Sequence, residues 1–192
     1  MLNKKVHNLV IWIQEQHPEM VAAMRASSHH YSPTEINSYH CEGSVFEHLL
    51  MTLLMTQVLN LPDETVEAVL CHDLGKPTCR RVKEGTKIVS FWGHESQSAF
   101  LSIDYLKELG TTNESIARQF VAICNHLDFA KALGQAETED EAIDNVASKY
   151  RGYQNLLDLM IGLNMADNLG RFKRIKEEKS HFDYAQLRTI FD

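Results

Sequence analysis

Residues 44–77 read SVFEHLLMTLLMTQVLNLPDETVEAVLCHDLGKP, and the pattern in this stretch sets the fold class. Ser44 precedes an apolar run and Glu47 follows it by three residues, the spacing at which the two side chains cap each other's backbone N–H groups at a helix start. A helix is therefore expected over 46–60. Pro62 stands where a first helical turn begins, because its missing N–H costs nothing there. Asp63 and Glu64 suit the positive end of the next helix. That helix, DETVEAVLCHD (63–73), is stopped by Gly75 and Pro77.

Helical periodicity of apolar residues continues in both directions. Positions 6, 9, 10 and 13 make an amphipathic helix over 2–16 that stops near Pro18, and a short helix is expected over 18–26. The polar, turn-rich SSHHYSPTEINSYHCEG (27–43) reads as a loop, long enough to be functional or mobile. RRVKEGTKIVSF (80–91) breaks the helical pattern, and two β-prone runs flanking Glu84 and Gly85 predict a small hairpin. Helices resume at 94–109, closed by Gly110, and at 113–126. The stretch 133–144 is acidic and irregular, a long helix is expected over 154–179, and a short one closes the chain. Nine glycines and four prolines in 192 residues are too few breaks for an all-β chain. Without repeats, low-complexity tracts or a linker, the expectation is all-α: a single compact helical domain over 1–192 with one small β-hairpin near 80–91.

The charges sum to −7, from 19 basic and 26 acidic residues, which disfavours general binding to nucleic acid or anionic membranes. No apolar run approaches the roughly 20 residues that a bilayer requires. The N-terminal MLNKKVHNLVIWIQEQ lacks the cleavage site of a secretory signal. Cys41, Cys71, Cys79 and Cys124 form no CxxC pair, and a chain of this length holds a core without disulfides. A cytoplasmic location is expected.

Ten histidines are the unusual feature. His72 and Asp73 adjoin at a helix end, where a relaxed backbone can turn both inward although neighbours in a helix diverge by about 100°. Imidazole with carboxylate suits Zn, Fe or Mn. His48 lies 24 residues before this pair and His94 lies 22 residues after His72, with His126 at the end of a later helix. Asp167 stands among Leu163, Met165, Ala166 and Leu169, where a buried carboxylate is costly unless a metal or a cation such as Arg171 compensates it. His7, His17 and His181 read as surface residues. His29, His30 and His40 read as loop residues, with cover for the site and contact with a substrate base as the functional alternative.

The ordered set resembles the HD-domain superfamily of metal-dependent phosphohydrolases, with its His, His-Asp and distal Asp matched by His48, His72-Asp73 and Asp167. The string HDLGKPTCRRVKEGTKIVSFWGHESQSA (72–99) is similar to the HD module of some bacterial tRNA nucleotidyltransferases, which has HD-x-GKP and then F-x-GHE. The resemblance covers about 44–171, two-thirds of the chain. The Gly-Ser turn and paired aspartates of a nucleotidyltransferase domain are missing. GKPT is no P-loop, since position 70 is Leu, and His94-Glu95 begins no HExxH, since position 98 is Ser.

The resemblance implies a site for one or two divalent ions (Mn, Fe, Co, Ni or Zn, with Mg possible). His48, His72, Asp73 and Asp167 serve the one-metal form. The two-metal form adds His94 and His126, each of which is otherwise a capping or surface histidine. Asp73 would then bridge, with His48, His72 and Asp167 on the first ion and His94 and His126 on the second. The implied activity is hydrolysis of a phosphomonoester or phosphodiester, of a nucleotide above all, by water whose pKa the metal lowers. Asp73, Lys76 and Arg171 are the candidate catalytic residues, with Arg171 either contacting phosphate or orienting Asp167. Lys76, Arg80 and Arg81 are the candidate substrate contacts, within a basic cluster that includes Lys83 and Lys87 and has only Glu84 against it; a second basic cluster spans 171–179. The partner expected is a small phosphorylated molecule. Two other readings stand beside this one: an HD-fold di-iron oxygenase acting on a phosphonate or polyol, and a non-catalytic HD module that binds a nucleotide or RNA.

Overall fold

The computed structural model describes residues 4–32, 34–35, 40–135, 141, 144–145, 148–150 and 154–171. Helix α1 (Lys4–Gln16) buries Val6, Leu9 and Ile13, one stripe at spacings of three and four. Pro18 opens α2 (Pro18–Ala26) from its first turn, where proline is preorganised. Helix α3 (Val45–Val58) starts on the expected reciprocal cap: Glu47 N donates to Ser44 Oγ at 3.2 Å, and Ser44 N donates to Glu47 Oε2 at 2.9 Å. Helix α4 (Asp63–Cys71) follows Pro62.

Past α4 the chain turns through His72–Gly75 into a one-turn helix, α5 (Lys76–Cys79). Pro77 thus begins a new turn of helix rather than only ending the old one. The hairpin forms as β1 (Arg81–Val82) and β2 (Val89–Ser90), antiparallel with Arg81 opposite Ser90 and Val82 opposite Val89. Helix α6 (His94–Glu108) packs along α7 (Asn113–Cys124), and α8 (His126–Gln135) and α9 (Gln154–Leu169) complete the all-α architecture.

Helix ends differ from expectation. The helix expected over 63–73 ends at Cys71. The helix expected over 113–126 is broken at Asn125, whose amide donates to Val121 O at 2.7 Å and ends α7. His126 therefore opens α8, a helix not anticipated, instead of closing α7. The helix expected over 154–179 ends at Leu169, and a turn at Gly170 follows. The remainder of that expected helix, the closing helix, His181, the second basic cluster beyond Arg171, Tyr39 and the core of the acidic stretch at 136–140 lie outside the described residues.

One hydrophobic core joins these elements, with Phe46, Leu53, Leu70, Leu106, Met160 and Leu163 fully buried or nearly so. Helix α9 lies against α3, α4, α7 and α8. Glycines allow the close approaches. A Cβ on Gly162 would lie 2.9 Å from Thr65 Cγ2, and one on Gly170 would lie 2.9 Å from the backbone of Thr52. Among the described residues, no helix is long and apolar enough to cross a membrane.

Gly75 makes a further close approach, backbone against backbone, that bears on the site. A Cβ there would stand 2.7 Å from both His94 O and Ser98 N, and Gly75 N donates to Ser98 Oγ at 2.9 Å. The turn carrying His72 and Asp73 is thereby seated on the first turn of α6. Gly75→Ala overpacks backbone against backbone and is expected to cost about 1–3 kcal/mol. Urea unfolding checks this, and an unchanged midpoint would contradict the contact.

Candidate metal centre

Five helices or their ends deliver six side chains to one place. His48 comes from the first turn of α3, His72 from the C-cap of α4, Asp73 from the turn after it, His94 and His126 from the first residues of α6 and α8, and Asp167 from α9. All six are buried, none more than 6% exposed. His72 keeps helical dihedrals as the C-cap of α4, the turn begins after it, and His72 and Asp73 both reach the centre.

The six form two triads. Ligand atoms of His48, His72 and Asp167 all lie within 4.8 Å of one another, as do those of Asp73, His94 and His126. Asp167 Oδ1 is 2.9 Å from His48 Nε2 and 3.7 Å from His72 Nε2. Asp73 turns one oxygen to each triad. Its Oδ2 lies 3.3 Å from His72 Nε2 and 3.6 Å from His48 Nε2, while Oδ1 lies 3.3 Å from His94 Nε2. His126 joins His94 with ring centroids 5.3 Å apart.

Backbone carbonyls set the tautomers. His72 Nδ1 donates to Val69 O at 2.7 Å, His94 Nδ1 to Phe91 O at 2.8 Å and His126 Nδ1 to Ile123 O at 2.6 Å. A carbonyl only accepts, so each Nδ1 carries a proton and each Nε2 points at the centre. His48 has a carboxylate instead, with Glu42 Oε1 2.9 Å from its Nδ1. Such outer partners orient metal-binding imidazoles and raise their basicity.

Nothing in the sequence pattern singled out Glu42. The only signal was a carboxylate in a histidine-rich loop just before the His48 helix. That loop also contributes His29 and His40, which are not ordinary loop residues. Their rings stack with centroids 4.0 Å apart, His40 Nδ1 lies 2.8 Å from Glu42 Oε1, and His29 Nε2 lies 3.1 Å from Lys76 Nζ. His29, His40 and Glu42 form a third cluster of ligand-type atoms, already engaged by Lys76, Gly43 O and His48. His30 Nε2 bonds the backbone of His40 at 2.8 Å, and His7 is exposed. His17 departs from a plain surface role, since it stacks on Tyr105 at 4.2 Å.

The donor set fits a metal. The Nε2 atoms of His72 and His94 and both oxygens of Asp73 are buried and make no hydrogen bond among the described residues. Each such group costs about 1–3 kcal/mol if left unsatisfied, and four converge here. A cation between them satisfies all four. Electrostatics agree. Burial opposes ionisation of Asp73, yet His72 and Lys76 hold its carboxyl well below the ordinary range. Burial likewise opposes ionisation of Asp167, and Arg171, His48 and His72 together hold its carboxyl well below the ordinary range. At His72, burial disfavours the charged ring, but Asp73 and Asp167 raise it to about 10, so positive charge is strongly stabilised between the carboxylates. Burial pushes His126 down to about 3, which keeps it in the neutral form that binds metals.

A cavity of about 420 Å³ opens over the centre and exposes Asp73, His94, His126 and Asp167 to it, with His48 and His72 behind. Lys76 and Arg171 stand in its wall. Lys76 Nζ lies 2.7 Å from Asp73 Oδ2; Arg171 Nε donates to Asp167 Oδ1 at 3.2 Å, and its Nη2 donates to Oδ2. Arg171 therefore orients Asp167, one of the two roles expected for it. Arg80 and Arg81 depart from expectation, because neither lines the cavity. Arg80 is spent on the preceding loop, donating from Nε to Ser28 O at 2.8 Å and from Nη2 to His30 O at 3.0 Å. Arg81 lies exposed on β1 and bonds Thr78 O and Arg80 O. Lys87 pairs with Glu35 at 2.5 Å.

Metal analysis of protein purified without chelators is expected to find close to two ions per chain, and His94→Ala or His126→Ala to remove one of them. Glu42→Gln should weaken affinity about tenfold to a hundredfold in chelator competition. Equal metal content in all variants would contradict the two-triad arrangement. No protein-family model matches the chain, and no curated protein matches it.

Proposed function

We propose that the protein is a metal-dependent phosphohydrolase of the HD-domain type, cleaving a phosphomonoester or phosphodiester of a small molecule, with a nucleotide as the favoured substrate. The observation that carries this reading is Asp73: one oxygen toward each triad, both without hydrogen bonds, at the floor of a cavity walled by cations. His48, His72 and Asp167 would hold one ion, His94 and His126 the other, and Asp73 both. Imidazole with carboxylate favours Mn, Fe, Co, Ni or Zn over Mg, which prefers oxygen ligands throughout. When bound, the metal supplies Lewis-acid polarisation of the phosphoryl oxygens and activation of water near neutral pH.

The chain's own residues provide the rest. Lys76 stands in the cavity wall with its Nζ 2.7 Å from Asp73 Oδ2 and 3.1 Å from His29 Nε2, where a phosphoryl oxygen would meet it. Arg171 is fixed against Asp167 at the same cavity. Because both cations are already in place, they stabilise charge on the substrate without reorganising at the moment of reaction. Each is balanced by a buried aspartate, so divalent ions bound at the triads would give the cavity the net positive charge that draws in small anions. The cavity volume falls within the range of about 300–1,000 Å³ that suits small-molecule sites.

Loaded with Mn or Co, the protein is expected to hydrolyse at least one member of a panel of nucleoside mono-, di-, tri- and cyclic phosphates, to lose that activity to a chelator, and to regain it on adding metal. Asp73→Asn should lower kcat by at least about a hundredfold. Lys76→Met should lower kcat/KM by about tenfold to a hundredfold, the scale of one charged hydrogen bond. Metal-loaded protein that turns over nothing in the panel would overturn the proposal.

A further inference from the structure

The chain carries an indole that the fold does not use. Trp92 is 92% exposed, the highest value among the exposed large hydrophobic side chains, yet it lines the cavity above the metal centre. Its neighbours are committed. Phe91 is half-buried, its ring 5.5 Å from Lys76 Nζ and 5.1 Å from the His29 ring, while its carbonyl accepts from His94 Nδ1. Gly93 sits at φ +83°, a left-handed conformation that a side chain there would strain, and His94 starts α6. The strand β2 fixes the chain on the other side. Trp92 is thus pinned between a strand and a helix, two residues from a ligand histidine, with its ring free at the cavity mouth.

An exposed tryptophan leaves a large apolar face in water, and a rigid mount lowers the entropy lost when a flat ligand covers it. The cavity below offers cations for phosphate and a metal centre for the reacting group. What the mouth adds is a π-face, the element that recognises a nucleobase irrespective of its identity. We infer that Trp92 is the base-stacking residue of this site, and that the substrate is a mononucleotide with its base on the indole and its phosphate between Lys76 and Arg171. The inference deepens the proposed function and rests on its reading of the cavity. Stacking discriminates a nucleotide from a sugar phosphate while tolerating any base, so the enzyme is broad in base and selective for the presence of one.

The test compares adenosine 5′-monophosphate with ribose 5-phosphate, which share the phosphate and the sugar but differ in the base. Binding is measured on the metal-loaded protein by calorimetry, and hydrolysis in parallel. Wild type is expected to bind the nucleotide more tightly. Trp92→Ala should weaken binding of the nucleotide at least about fivefold more than that of the sugar phosphate, the scale of one base–aromatic stack. Trp92→Phe should restore most of the difference, which a loss of folding would not allow. Equal affinity of wild type for the two ligands, or an equal effect of Trp92→Ala on both, overturns the inference. Should the nucleotide bind through Trp92 without being hydrolysed, the stacking role stands and the hydrolase reading fails; hydrolysis of both ligands regardless of Trp92 has the reverse meaning.

Discussion

Two carboxylates, Asp73 and Asp167, are buried within a shell of histidines, and the rest of the structure answers to that. A buried ionised carboxylate is tolerated only beside positive charge. Arg171 accompanies Asp167 and Lys76 accompanies Asp73, yet both Asp73 oxygens still lack hydrogen bonds. The histidines around them and the cavity above leave room for one more cation at this point. Removing either carboxylate partner leaves a charge stranded in the core, which is why the site and the stability of the fold are coupled.

The ligands stand largely at helix ends, and the physical reason is shared. The last carbonyls of a helix have no intrahelical partner. Val69 O and Ile123 O are such carbonyls, in the last turns of α4 and α7, and each accepts from the Nδ1–H of the histidine three residues on. One hydrogen bond satisfies the helix end and aims the opposite nitrogen at the centre. His94 obtains the same bond from Phe91 O, just ahead of α6. His48 lies inside the first turn of α3, where the preceding carbonyls are engaged by the helix itself, so its orienting partner comes from the loop before, and Glu42 supplies it.

Close backbone approach completes the assembly. Gly75 brings the His72–Asp73 turn against α6, so that one carboxylate reaches both triads. Gly170 lets the end of α9 settle on Thr52, one turn beyond His48 on α3, and this puts Asp167 within 2.9 Å of His48. Larger residues at either point would open the gap between elements and separate ligands that lie far apart in sequence.

Much of the fold was legible in local pattern. The Ser44–Glu47 cap, the Pro18 and Pro62 starts and the Glu84-Gly85 hairpin each depend on neighbours within a few residues, and all formed. Of the site, the order and spacing of His48, His72, Asp73, His94, His126 and Asp167 marked them as a set, because imidazole and carboxylate are common metal-binding groups and their chemistry is visible in their identity. The break at Asn125 has no glycine or proline to announce it: the residue leaves helical dihedrals at φ −113° while its side-chain amide caps Val121 O. Glu42 carries no such mark, because loop residues have no periodicity to declare their direction; His29, read as a loop residue with cover of the site as its alternative, meets Lys76 from 47 residues away. Arg80 and Arg81 erred the other way, basic by composition but held on other carbonyls. Residue type fixed which groups could serve, because charge and ligand chemistry belong to the side chain. Only the tertiary structure decided which of them face the cavity, because direction and distance are set by packing between segments that the sequence keeps far apart.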